Sequence, residues 1–102
     1  MCAVPDLQPE RGVAVLIGDT QVAVFRAANG DLHALGNRDP FTGAFVLSRG
    51  IVGSRGSVPT VASPLHKQVF DLRTGRCLDE AAVTVPVYGA RDRDGMIEVL
   101  AG

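Results

Sequence analysis

Few side chains in this 102-residue chain are equipped for chemistry: two histidines, His33 and His66, and two cysteines, Cys2 and Cys77. The cysteines stand far apart and form no Cys-x-x-Cys, which excludes a four-thiolate metal site and a disulfide scaffold and leaves each an ordinary free thiol. A metallohydrolase needs clustered imidazoles and carboxylates, and one histidine between Leu32 and Ala34 with another in a turn is no such cluster. The chain has no GxxxxGK[ST] loop, no GxGxxG that follows a strand and opens a helix, and no GxSxG elbow, so nucleotide and serine-hydrolase chemistry have no signature. His33 reads as structural or exposed, and His66 as a hydrogen-bonding clamp of its loop. Two loops stand out instead: Asn37-Arg38-Asp39-Pro40-Phe41-Thr42-Gly43 and Ser63-Pro64-Leu65-His66.

The elements that must position those loops are strands. Val, Ile and Thr total 22 residues, and 12 Gly with 6 Pro punctuate the chain at short intervals, a β composition. Val13–Ile17, apolar on both faces, is expected to be buried; Gly18-Asp19 suits a tight hairpin, and Gln21–Ala27 returns with Val22 and Val24 opposite Ala23 and Phe25. Asn29-Gly30 then turns the chain into Asp31–Leu35, completing a three-strand meander. From Gly36 to Ser57 the alternation stops amid five glycines, with only Ala44–Leu47 readable as a short strand or helical turn. A connection this long inside a small domain is usually functional. Strands resume at Val58–Ala62 and Lys67–Leu72; Thr74-Gly75 leads into Arg76–Leu78. Val83–Tyr88 reads as a half-buried strand held at an edge by Pro86, and Asp94-Gly95 turns into Met96–Leu100. The sum is an all-β domain of about eight strands, an antiparallel sandwich or partly open barrel with two loops at one end.

Length favours a single domain over residues 1–102, the first eleven forming an N-terminal segment. A formal charge of −1, from 10 basic and 11 acidic residues, gives no electrostatic footprint for nucleic acid or anionic lipid. Val13–Ile17 is the longest aliphatic stretch, far below the ~20 residues of a membrane helix. No basic-then-apolar leader or lipidation motif is visible, so the cytoplasm is the expected location.

The two loops resemble the cluster loops of Rieske iron–sulfur domains, whose first loop reads roughly Cys-Pro-His and whose second reads Cys-Pro-x-His before an aromatic strand and a Thr-Gly turn. Gln68-Val69-Phe70-Asp71-Leu72-Arg73-Thr74-Gly75 follows the second loop in that register. The resemblance runs from about Val13 to Leu100 and places Asp39 and Ser63 at the cysteine positions and Phe41 at the first histidine, leaving His66 alone. A Rieske [2Fe–2S] centre takes two thiolates on one iron and two imidazoles on the other, so no cluster is expected. The alternative, a Rieske-type electron-transfer ferredoxin, requires that cluster. The segments Val22–Arg26, Asn37–Phe41, Val46-Leu47-Ser48-Arg49-Gly50, Ala62–Leu65, Lys67–Leu72 and Gly75–Leu78 resemble more narrowly the small subunits of assimilatory NAD(P)H nitrite reductase, the NirD family. That resemblance implies an accessory, non-catalytic subunit with no cofactor of its own. Its partner would be a large subunit carrying FAD, [4Fe–4S] and sirohaem, which reduces nitrite to ammonium.

The surface expected to meet that partner comprises Arg38, Asp39, Pro40, Phe41, Ser48, Arg49, Pro64 and His66. Each has a plainer reading beside it. Asp39 before Pro40 can cap a turn, Arg38 can be solvated, and Phe41 and Phe45, which can present an apolar patch to that partner, can equally fill space that a cluster would occupy. Arg49 offers a planar fork for a carboxylate, beside a Gly50 expected to adopt a backbone geometry other residues resist.

Overall fold

The computed structural model describes residues 2–5, 10–27, 30–65, 67–80, 82–93 and 96–100. Among them are nine strands: β1 (Cys2–Pro5), β2 (Arg11–Ile17), β3 (Thr20–Arg26), β4 (Leu32–Gly36), β5 (Ile51–Arg55), β6 (Val58–Ala62), β7 (Val69–Asp71), β8 (Val87–Arg93) and β9 (Met96–Leu100). A 3₁₀ turn spans Leu47–Arg49. All pairings are antiparallel. Six strands form a curled sheet in the order β1-β9-β8-β4-β3-β2, and β5-β6-β7 form a small second sheet.

Alternation on β3 explains how the sheets are held. Val22 and Val24 point to one side, Ala23 and Phe25 to the other, and all four are fully buried. On the first side they join Val15, Ala34, Ile97 and Val99 inside the curl of the large sheet. On the second, Phe25 and Leu35 pack with Leu47, Val61, Phe70 and Leu72 beneath the small sheet. A central strand of this kind is the common wall of two cores, and burial of each large apolar side chain contributes about 1.5–3 kcal/mol. The Gly18-Asp19 hairpin forms with Gly18 at φ 59°, a conformation that favours a residue without Cβ.

Several expectations are corrected. β2 is not buried on both faces: Val15 joins the core inside the large sheet, while Ala14 and Leu16 are exposed. The irregular stretch 36–57 contains a strand, β5, which Gly56 at φ 65° turns into β6. Four of its five residues are exposed, so no hydrophobic alternation marks it. The expected strand Val83–Tyr88 does not form; β8 starts at Val87, directly after Pro86, and lies inside the sheet between β9 and β4. Pro86 lacks an N–H but its carbonyl accepts the Gly36 amide, so it leads into an interior strand. Arg76 and Cys77 make only single bridges, to Thr84 and Phe70. The N-terminal segment contributes β1, paired with β9. Asn29, His66 and the Asp94-Gly95 turn lie outside the described residues.

His33, on β4, is half-buried, and its Nε2 has no hydrogen-bond partner among the described residues. Burial lowers its pKa below the ordinary 6.5; Asp31 and Asp71 push the other way, and Arg73 adds to the lowering. Asp71 is itself desolvated, but hydrogen bonds from the Arg73 side chain and backbone outweigh that effect and hold it below 3.8. The unfolded chain therefore takes up the His33 proton at higher pH than the folded one, so this group costs stability as pH falls through 6.5. Asp71 contributes stability above its unfolded value and loses it in acid. The unfolding free energy from denaturant titration is expected to rise between about pH 5 and pH 7. His33→Gln should flatten that rise and leave the acid loss below about pH 4 intact; an unchanged slope would remove His33 as its source.

Candidate functional site

The first loop leaves β4 at Gly36, and Asn37 fixes its exit. This side chain is 1% exposed and makes three hydrogen bonds: Nδ2 donates to Gln21 Oε1 and to the Phe45 carbonyl, both at 3.2 Å, while Oδ1 accepts the Ser48 amide at 2.7 Å. Its backbone adds bonds to Gln21 O and from Leu47 N. One amide thus ties the start of β3, the far side of the loop and the 3₁₀ turn together. Asn37 was read only as part of the loop motif. The usable signal was an amide, which can donate and accept at once, between a strand and a turn.

Asp39 follows, fully buried. Its Oδ1 accepts the Phe41 amide at 2.8 Å, the turn-capping bond expected of an Asp before Pro, and its backbone accepts Gly43 N and donates to Ala44 O. The second oxygen, Oδ2, accepts the Ser63 hydroxyl at 2.5 Å. Ser63 is 1% exposed and opens the second loop, where Lys67 N closes on Ser63 O and Ser63 N on Gln68 O. Asp39 and Ser63 therefore face each other across the two loops and are hydrogen-bonded to one another. A carboxyl, a hydroxyl and, at Phe41, a phenyl ring are not the donor set of a [2Fe–2S] centre, which needs soft thiolates and imidazoles. The residues present do not fit that cluster. Among the described residues no group of three His, Cys, Asp or Glu side chains is arranged to hold a metal. Cys77 is fully buried in the second core, remote in role from either loop.

Around this buried pair the surface is apolar and cationic. Phe41 sits with its ring centroid 6.3 Å from that of Phe70, tilted by 53°, yet 39% of it is exposed; it covers the core and faces solvent together. Phe45, Leu65 and Ile51 are more exposed still, and Ile51 pairs across from Ala62, beside Ser63. Arg38, Arg49 and Lys67 are exposed and make no ion pair with any described residue. Pro40 and Pro64 are exposed, and Ser48 is half-buried with its amide held by Asn37. Asp39, expected at the surface, shapes the loop from inside. Gly50 is corrected in its reason: its φ of −71° and ψ of 170° are ordinary extended backbone. What excludes a side chain is contact, because a Cβ there would overlap the Ala62 carbonyl and Val61, which seats the turn carrying Arg49 against β6. His66 lies outside the described residues.

The cross-loop bond has a measurable consequence. Ser63→Ala leaves a buried Asp39 oxygen without its donor and is expected to cost about 1–3 kcal/mol in denaturant unfolding. In a double-mutant cycle with Asp39→Ala, the pair should couple by at least about 0.5 kcal/mol; additive single effects would show that the two loops are not held by this bond.

Comparison with known proteins agrees with this geometry. Residues 1–100 match the family model of the Rieske-like [2Fe–2S] domain. The nitrite reductase (NADH) small subunit of Escherichia coli K12 is 42% identical over 100 residues, covering 97% of this chain and 93% of that protein. A crystal structure of an NADH-dependent nitrite reductase small subunit from Mycobacterium tuberculosis superposes with a TM-score of 0.94 at 50% identity, covering 99% of this chain and 94% of that one. The nitrite reductase [NAD(P)H] large subunit of Klebsiella oxytoca is 34% identical over 99 residues, 97% of this chain but 10% of that protein. With an all-β scaffold of this form and relatives of this kind along nearly its whole length, the chain belongs to the Rieske-like domain family and, within it, to the small subunits of NAD(P)H nitrite reductase.

Proposed function

We propose that this chain is a non-catalytic accessory subunit of an assimilatory NAD(P)H-dependent nitrite reductase. It docks on a large subunit that carries FAD, [4Fe–4S] and sirohaem and reduces nitrite to ammonium in the cytoplasm. The carrying observation is the pair of loops joined by the Asp39–Ser63 hydrogen bond under an exposed apolar surface. The loops keep the form of a redox-docking end while their inward side chains lack the ligands for electron transfer. The Klebsiella relative supports the partner: a tenth of that large subunit is related to this chain, so there the two are parts of one polypeptide. No described helix is long and apolar enough to cross a membrane.

The contact is assigned to the loop end. Phe41, Pro40, Pro64 and Leu65 supply apolar area, and Arg38 and Arg49 supply guanidiniums for carboxylates on the large subunit. Ser48 and Asp39 act from within, by fixing the backbone on which these side chains stand. In this arrangement the small subunit contributes shape and charge, and every electron passes through groups held by its partner.

Binding of the purified chain to the large subunit tests the assignment. Arg49→Glu is expected to weaken association at least about tenfold, the magnitude of one charged interface contact, and adding wild-type chain should raise or stabilise the nitrite-reducing activity of the large subunit. Iron analysis separates the alternative, a Rieske ferredoxin, which would hold about two irons per chain and absorb visible light. The expected result is a colourless protein without stoichiometric iron; a reducible two-iron spectrum would overturn the accessory role.

A further inference from the structure

The register of the large sheet fixes where the polypeptide enters and leaves the fold. β4 runs from Leu32 to Gly36 and passes into the first loop. Its neighbour β8 starts at that end, with Val87 opposite Leu35 and the Pro86 carbonyl accepting the Gly36 amide, and runs away from it. β9 returns antiparallel to β8, and its last residue, Leu100, stands opposite Gly89. β9 therefore points the same way as β4, and it finishes about 7 Å along the strand from the level of Leu35. β1 pairs antiparallel with β9, Cys2 opposite Val99, so it starts where β9 finishes. Only β8 stands between β4 and β9 in the sheet, an offset of about 10 Å. The entry strand, the exit strand and the base of the first loop thus share one end of the large sheet.

We propose that this end of the large sheet is turned toward the large nitrite reductase subunit, with the start of β1 and the finish of β9 beside the contact. The inference rests on the accessory-subunit function and gives it an orientation. The Klebsiella large subunit selects the partner, because a stretch of it matches 97% of this chain within 10% of that protein. A polypeptide that carries such a domain enters through the counterpart of β1, leaves through the counterpart of β9, or does both. Its remainder is therefore attached at this end of the sheet. A tether holds a domain on its site best when its length matches the span from junction to contact. A contact at the opposite end would need a connection running along a molecule 37 Å in its longest extent, at least about 10 fully extended residues. A contact beside the junction needs almost none. The orientation comes from backbone register and this relationship, without any side chain displayed on the loops, and it puts the first loop on the partner's side.

Steric blocking of the full chain tests this. A small globular domain joined directly before Met1 or after Gly102 is expected to weaken binding to the purified large subunit at least about tenfold. A Gly/Ser spacer of about twenty residues, whose ends stand about 25 Å apart, should restore the affinity to within about threefold of the untagged chain. Gly56 supplies the control site. It lies in the exposed turn between β5 and β6, at the far end of β6 from the second loop, and exposed turns of this kind tolerate insertions. The same domain inserted there between flanking glycines should leave binding within about threefold of the untagged chain. Wild-type affinity in either directly joined form, with the untagged chain bound, would overturn the orientation and leave the accessory role standing. So would a loss that the spacer does not relieve, or an equal loss on insertion at Gly56. Failure of the untagged chain to bind would overturn the accessory role, and the orientation with it.

Discussion

The buried hydrogen bond from Ser63 to Asp39 is the constraint on which the loop end depends. The loops it joins leave different sheets, one from β4 and one from β6. In a Rieske centre a metal cluster bridges such loops with thiolate and imidazole bonds. A hydrogen bond is far weaker, with a net contribution of about 1 kcal/mol or a few when charged. It can serve only if each loop is already close to its final shape. The first loop meets that condition through the three side-chain bonds of Asn37 and the Asp39 turn cap, and the second through the Ser63–Lys67 closure.

Below the loops, β3 and β4 provide the rigid base because both faces of β3 are buried in separate cores. The first loop is tied to β3 through the Asn37–Gln21 bonds. The second loop is seated by a different device, the side-chain-free contact of Gly50 with Ala62. The outcome is a fixed platform that displays Phe41, Phe45, Leu65 and Ile51 to solvent. Exposed large apolar side chains on such a platform are a feature of interaction surfaces.

Much of this was legible in the residues. The β2–β3–β4 meander followed from alternation and turn chemistry, and the alternating faces of Val22/Val24 and Ala23/Phe25 turned out to divide the two cores. That Asp39 and Ser63 are counterparts of cluster ligands is implied by the resemblance to Rieske loops and not by the residues of the loops themselves. What escaped has a common cause. β5 presents one buried residue among five, and β8 carries Gly89, Arg91 and Asp92 where a core strand would alternate apolar groups. Their strand character comes from pairing to neighbours, which local pattern does not register. The importance of Asn37 escaped for the same reason, since its partners are spread from residue 21 to residue 48.

The residue types alone determined the β architecture and the place of the two loops, because alternation and turn propensity are local properties. Only the folded chain decided that Asp39 and Ser63, 24 positions apart, bond to each other, and that Asp39 is hidden while Phe45 is displayed. Those are distances between parts of the chain that meet only when two sheets pack, and no periodicity along the sequence encodes them.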